Sequence, residues 1–316
     1  MVFCSKCGKE NNTQDTFCTE CGSVLMNEKY LSLNKLETFK EIANETNLNI
    51  IKENPLSELE YAIILKNIEE MGWDYLNDLD NEFKNRSTPG KIKLLTLSYA
   101  DVAYKSKGAE LGSYAFNRIE VDDRLNDCDI VSTLIHELAH HLFNEIFEQM
   151  LMYIWEVEKS DALEAYVSFT LGTNSVFILC NEYCAHTVEG RFIPHGYQNY
   201  GSFNRILKEN FNLRKDSEAI TFALILGNSI ADDIINILEK FITPEIRREI
   251  KQMYKKDYPR PPSYNDILLE NKEILDSEEK IKNMHGILIS GISIANNKDS
   301  EELFNKIEDG YISNNL

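Results

Sequence analysis

The amino-acid sequence predicts an α+β chain, mostly helical, in which a short antiparallel sheet packs on one central helix and a small separate unit precedes them. Three observations carry that expectation. Apolar residues recur at three- and four-residue spacing over most of the chain. One region, 91–121, is rich in β-branched and aromatic residues and follows a breaker cluster. The N-terminal stretch is rich in Cys, Gly, Asn and Thr and lacks helical periodicity.

A chain of 316 residues with a hydrophobic fraction of 43% can bury a sizeable core in more than one unit. Its 33 Lys and Arg stand against 52 Asp and Glu, a formal charge of -19, which repels phosphate backbones and anionic membrane surfaces. Nucleic acid is not an expected partner. The opening MVFCSKCGKE has no apolar stretch of signal-peptide length, and no window approaches the roughly 18 apolar residues of a membrane span. The expectation is a cytoplasmic protein with no membrane partner. Seven cysteines, four of them in a tight pattern, suit a reducing compartment better than a disulfide framework.

Element by element, residues 1–26 form the cysteine-rich unit. Residues 27–86 form a helical segment, with amphipathic spacing in LETFKEIANETNLNII and LSELEYAIILKNIEEMGWDYLNDL. Residues 87–316 form the main domain, with a helical C-terminal part. There Ser87-Thr88-Pro89-Gly90 is read as a breaker, and KIKLLTLSY and SYAFNRIEV as strands. Asp127 or Asp129 caps a helix over 130–149, and 150–172 forms the next helix. The stretch VEGRFIPHGYQNYGSF, within 173–215, is too polar and Gly-rich for a core element and is expected to be irregular. From Asp216 onward the pattern is mostly helical, interrupted at 258–262.

Two knuckles of identical spacing, Cys4-Ser5-Lys6-Cys7-Gly8 and Cys18-Thr19-Glu20-Cys21-Gly22, stand in the first unit. In such a turn two thiolates converge on one ion, and the glycine supplies the backbone freedom that lets amides point at sulfur. Cys4, Cys7, Cys18 and Cys21 together make a closed tetrahedral S4 site, a structural zinc. With Asn11, Asn12 and Phe17, the segment resembles the short zinc-ribbon families. The resemblance implies a fold and a metal, and the segment's near-neutral charge favours a protein-contact or purely structural role over DNA binding.

The second motif is His136-Glu137-Leu138-Ala139-His140. Histidines four apart lie on one helix face and can grip one Zn²⁺, while Glu137, offset by one, reaches the position where an activated water loses its proton. Ile130, Val131, Leu134, Ile135, Leu138, Leu142 and Ile146 form an apolar stripe, so the His pair borders a buried face. Histidines placed there need partners. His141 is expected to point about 100° away from His140, toward solvent or an outer partner.

This arrangement resembles the zincin superfamily of metallopeptidases, and in particular its gluzincin group. The resemblance implies a preceding strand along which an extended peptide lies, for which 114–121 is placed. It also implies a carboxylate from a following helix as third ligand. Glu164, with Ala162, Leu163, Ala165 and Tyr166 around it and Asp161 and Ser168 on its face, is the first choice. Glu158 is second, Asp161 or a downstream His is a further candidate, and Glu156 is expected at the surface. The metzincin extension is absent, and so are the third-ligand signatures of named gluzincin families. From the later segment, which also carries His186, Glu189 and Tyr200, His195 and then Tyr197 are candidates to stabilise an oxyanion. Cys180 and Cys184, with His186, have helical spacing and read as core thiols.

The expected function is therefore zinc-dependent hydrolysis of a peptide bond in a peptide or protein substrate, with Glu137 as general base and two zinc ions, one catalytic and one structural. One competing reading is an adaptor that binds partners through the ribbon and the helical tail and carries a vestigial zincin site; another is a zinc-dependent hydrolase acting on a non-peptide amide.

Overall fold

The computed structural model describes residues 2–3, 10–11, 56–105, 111–115, 117–194, 197, 200–212 and 215–258. Near the N-terminus β1 (Val2–Phe3) and β2 (Glu10–Asn11) pair antiparallel, Val2 opposite Asn11. Cys4, Cys7, Cys18 and Cys21 lie outside the described residues, as do 27–55 and 259–316.

Helix α1 (Glu58–Asn77) opens on a reciprocal cap. The Ser57 amide donates to Glu60 Oε2 at 2.7 Å, and the Glu60 amide donates to Ser57 Oγ at 3.3 Å. Its buried face carries Tyr61, Ile64 and Ile68 into the same core as the rest of the chain, and the Tyr61 hydroxyl donates to Asp233 at 2.8 Å. After α2 (Asp80–Asn85) comes α3 (Thr88–Leu97), where KIKLLTLSY was expected to be a strand. The correction has a clear cause. Pro89 in the first turn starts a helix as readily as it breaks one, because that turn's amides need no intrahelical acceptor. The alternation of Lys91 and Lys93 with apolar neighbours imitates a strand, but the buried residues Ile92, Leu95 and Thr96 fall three and four apart.

A small three-stranded sheet follows: β3 (Asp101–Tyr104), β4 (Gly112–Ala115) and β5 (Arg118–Val121), in the order β3-β5-β4. It is mixed rather than antiparallel, with β3 parallel and β4 antiparallel to β5. The span 114–121, expected as one strand, is a hairpin that turns at Asn117, whose φ of 55° suits asparagine. Central β5 buries Ile119 and Val121, and β3 and β4 are the sheet's two edges.

Helix α4 (Asp127–Trp155) begins at Asn126, whose side chain accepts from the amides of Cys128 and Asp129, and it ends at left-handed Glu156. Ser160 then caps α5 (Asp161–Thr173). Asn174 caps α6 (Ser175–Phe192), accepting from the amides of Val176 and Phe177. Of the stretch expected to be irregular, residues 188–192 form instead the last turn of this core helix. Phe177, Leu179, Cys180, Tyr183, Cys184, Ala185 and Val188 are buried around most of its circumference. The chain closes with α7 (Gly201–Asn210), α8 (Ser217–Leu238) and α9 (Pro244–Asp257). Helix α6 is sandwiched between α4 and α8, while α1, α3 and the sheet pack on α4. Phe147 of α4 meets Phe177 of α6 with ring centroids 5.4 Å apart. Among the described residues no helix is long and apolar enough to cross a membrane.

Helices α6 and α8 touch closely because residue 227 has no side chain. A Cβ there would come to 2.6 Å from the Cys180 carbonyl and 3.2 Å from the Tyr183 ring. The first neighbour is backbone and cannot swing aside. Gly227→Ala is expected to destabilise the chain by about 1–3 kcal/mol in urea unfolding, the range for overpacking a tight interface.

Candidate metal centre

Helix α4 brings His136 and His140 onto one face, one turn apart, with side chains 14% and 13% exposed. Their Nε2 atoms lie 3.1 Å from each other. Across from them α6 presents Glu182, with Oε1 3.7 Å from His136 Nε2 and Oε2 3.5 Å from His140 Nε2. Zinc bonds of about 2.0–2.1 Å in a tetrahedral site imply ligand atoms about 3.3 Å apart. The three contacts bracket that spacing.

The opposite sides of the two rings decide what the near sides offer. His136 Nδ1 faces Glu189 Oε2 at 3.2 Å, and His140 Nδ1 faces Asn181 Oδ1 at 3.0 Å. Each neutral ring therefore carries its proton on Nδ1 and turns an Nε2 lone pair toward the shared point, where the Glu182 carboxylate already sits. Two lone pairs and a carboxylate repel one another unless a cation lies between them. A proton can do part of the same duty. Burial alone would push His136 down, but the Glu189 hydrogen bond and the charges of Glu182 and Glu137 outweigh it and raise the ring to about 9. Burial, aided by the charge of His136, pushes His140 down to about 4 despite Glu182. Burial acts to raise Glu182 and Glu189 as well, yet the surrounding histidines hold both carboxyls below the usual range and ionised.

A second triplet, His136, His186 and Glu189, shares His136 with the first. Its contacts use the Nδ1 atoms, with His186 Nδ1 3.4 Å from Glu189 Oε2. One neutral imidazole cannot give both nitrogens to metals, so the second set serves to hold the rings of the first.

Glu137 is buried beside this face, and edge strand β4 runs past it. A Cβ on Gly112 would overlap the Thr133 methyl and stand 3.1 Å from Glu137 Oε1. The missing side chain lets the strand backbone approach the carboxylate directly.

The carboxylate that α6 brings to the His pair is Glu182, whereas the expected third residue, Glu164, lies on the other flank of α4. There, with Tyr114, His141, Glu145, Glu148 and Lys159, it lines a cavity of about 10 Å³. Leu163 is buried and Tyr166 half-buried, but Glu164 itself lies beside His141, on the helix face one residue round from His140. Glu158 is exposed in the α4–α5 connection, and so is Glu156 at the helix end. The side chain of Asp161 and all of His195 lie outside the described residues. The Tyr197 hydroxyl is committed to the Tyr258 carbonyl at 2.6 Å. His141 does not face solvent. It is buried edge-on to Tyr114, ring centroids 5.5 Å apart, and burial pushes it down to about 4. Cys180 and Cys184 are buried free thiols, and His186 turns toward the carboxylates rather than toward them. Glu182 and Glu189 went unassigned as ligands or ring holders, although with His186 their spacing of four and three puts them on one helical face.

On the Glu164 flank, Lys159 Nζ lies 2.7 Å from Glu145 Oε2 and 3.4 Å from Glu148 Oε2. Glu148 Oε1, Asn144 Oδ1 and both His141 ring nitrogens have no hydrogen-bond partner among the described residues, and the cavity has room for about one water. Burial pushes Glu148 up to about 7, with Lys159 opposing and Glu145 and Glu164 adding to the rise. Between about 4.5 and about 7 the folded chain keeps a proton on Glu148 that the unfolded chain releases. Stability is therefore expected to fall as pH rises through that window, and Glu148→Gln should flatten the dependence. Chemical unfolding at a series of pH values measures it; equal slopes in the two proteins would contradict it.

Compared with known proteins, residues 3–25 match the zinc-ribbon domain family. No curated protein and no solved structure matches the chain. The ribbon at the N-terminus is thus shown as a zinc-binding unit, and the centre on α4 and α6 stands on its own geometry.

Proposed function

We propose that this chain is a zinc-dependent hydrolase of the zincin type, cleaving peptide bonds at a centre formed by His136, His140 and Glu182. The observation that carries this reading is the convergence of two Nε2 lone pairs and a carboxylate at tetrahedral spacing, with Glu189 and Asn181 fixing the rings from behind. Bound there, Zn²⁺ would act as a Lewis acid, polarising a carbonyl and lowering the pKa of water toward neutrality.

The chain's own residues supply the rest. Glu137, adjacent to His136 and facing β4, takes the proton of the attacking water on its carboxylate and passes it to the leaving amine nitrogen. Its burial keeps bulk water from competing for that proton. An extended chain added along edge strand β4 would be held by backbone hydrogen bonds, and Gly112 brings that path close to Glu137. These features favour a peptide over a small amide. The ribbon adds a structural zinc and a surface for a protein partner.

Purified protein should contain close to two zinc ions per chain. Glu182→Ala, His136→Ala and His140→Ala should each lose one, and Glu164→Ala should retain both. Glu137→Gln preserves size and hydrogen-bonding reach but cannot take a proton, so zinc and fold should persist while cleavage of a responsive peptide falls by about 10²–10⁴-fold. Metal analysis and a mixed peptide library test both statements. Should the wild type cut nothing in the library and Glu137→Gln keep every biological effect, the adaptor reading replaces the enzyme.

A further inference from the structure

His186 stands one helical turn after Glu182 and three residues before Glu189, and the fold closes around its ring. Nε2 lies 2.8 Å from Ser202 Oγ on α7 and 3.5 Å from Glu182 Oε1. Nδ1 lies 3.4 Å from Glu189 Oε2, the same oxygen that His136 Nδ1 faces at 3.2 Å. The Tyr200 ring covers it at 5.0 Å between centroids, and the His136 ring lies 4.5 Å away on another side. The side chain is 5% exposed. One imidazole thus links the carboxylate in the metal centre to the carboxylate that holds a metal-facing ring.

The two oxygens of Glu182 have unequal surroundings. Oε2 faces His140 Nε2 at 3.5 Å, while Oε1 lies between His136 Nε2, at 3.7 Å, and His186 Nε2, at 3.5 Å, and has His186 as a hydrogen-bonding neighbour. A carboxylate beside a divalent cation binds through one oxygen or through both, and a donor on one oxygen biases it to bind through the other. Binding through both would occupy the position that an open catalytic site leaves for water. Resting on the zinc-centre reading above, we propose that His186 is a positioning residue: it engages Glu182 Oε1 so that this glutamate binds the metal through Oε2 alone. Its contact with Glu189 steadies the His136 ring but does not set the coordination number.

The test uses the full chain with zinc in the ribbon and cobalt(II) added to the second site. Cobalt is the probe because its visible d–d absorption is strong when four-coordinate and weak at higher coordination. His186→Phe keeps a ring against Tyr200 and removes both ring nitrogens. It should bind cobalt about 10–100-fold more weakly and show the weaker, higher-coordinate spectrum. His186→Gln, whose amide reaches the place of Nε2, should recover the wild-type spectrum. His186→Asn, whose amide reaches only the place of Nδ1, should not. Circular dichroism checks the fold, and if the Phe variant fails to fold, the Gln and Asn variants decide. Equal spectra for Gln and Asn, recovery by Asn alone, or a folded Phe variant with wild-type affinity and spectrum would overturn the proposal. A wild type that takes no cobalt outside the ribbon would overturn the zinc-centre reading, and the role of His186 with it.

Discussion

Two imidazole lone pairs and a carboxylate aimed at one point form a repulsive arrangement, and much of the fold serves to maintain it. His136 and His140 are held by their far nitrogens, from Glu189 and Asn181, so neither ring can rotate its Nε2 away without losing a buried hydrogen bond. All the opposing groups, Asn181, Glu182, His186 and Glu189, come from a single helix. The centre is therefore only as well ordered as the contact between α4 and α6. That contact is fixed by Phe147 against Phe177 on one side of α6, and by the close approach of α8 at Gly227 on the other.

Helix α4 carries polar groups on two flanks, and they differ in kind. On the α6 flank the histidines and carboxylates converge to ligand spacing. On the α5 flank His141, Glu145, Glu148 and Glu164 surround a small cavity, with Lys159 reaching in to neutralise part of the charge. No ligand-spaced triplet forms there among the described residues. Glu164 and Glu182 both sit on helices that follow the HExxH helix, so order in the chain does not separate them. The flank each helix covers does.

The local chemistry of α4 was legible because its spacing is its geometry: residues four apart share a helix face wherever the helix lies. The ribbon was legible for the same reason, its two CxxCG turns being self-contained. The third position was not, because it depends on which helix packs against which side of α4. Helix α6 hid itself in two ways. Buried on most sides, it shows no clean apolar stripe, and its last turn, residues 188–192, runs on into a Gly-rich, polar stretch. Strand and helix were confused at α3, where two lysines alternate with apolar residues over a stretch too short to separate the two periods. The parallel pairing of β3 with β5 depends on the connection between β3 and β4, which leaves no pattern in the strands themselves.

The central claim is that His136, His140 and Glu182 form one metal site distinct from the ribbon. Anomalous diffraction at the zinc edge from crystals of the full chain tests it most directly. The account predicts a peak about 2.0–2.2 Å from His136 Nε2, His140 Nε2 and a Glu182 carboxylate oxygen, in addition to one among Cys4, Cys7, Cys18 and Cys21. A zinc-replete crystal with a peak at the cysteines alone, or with a second peak held by Glu164, would contradict it.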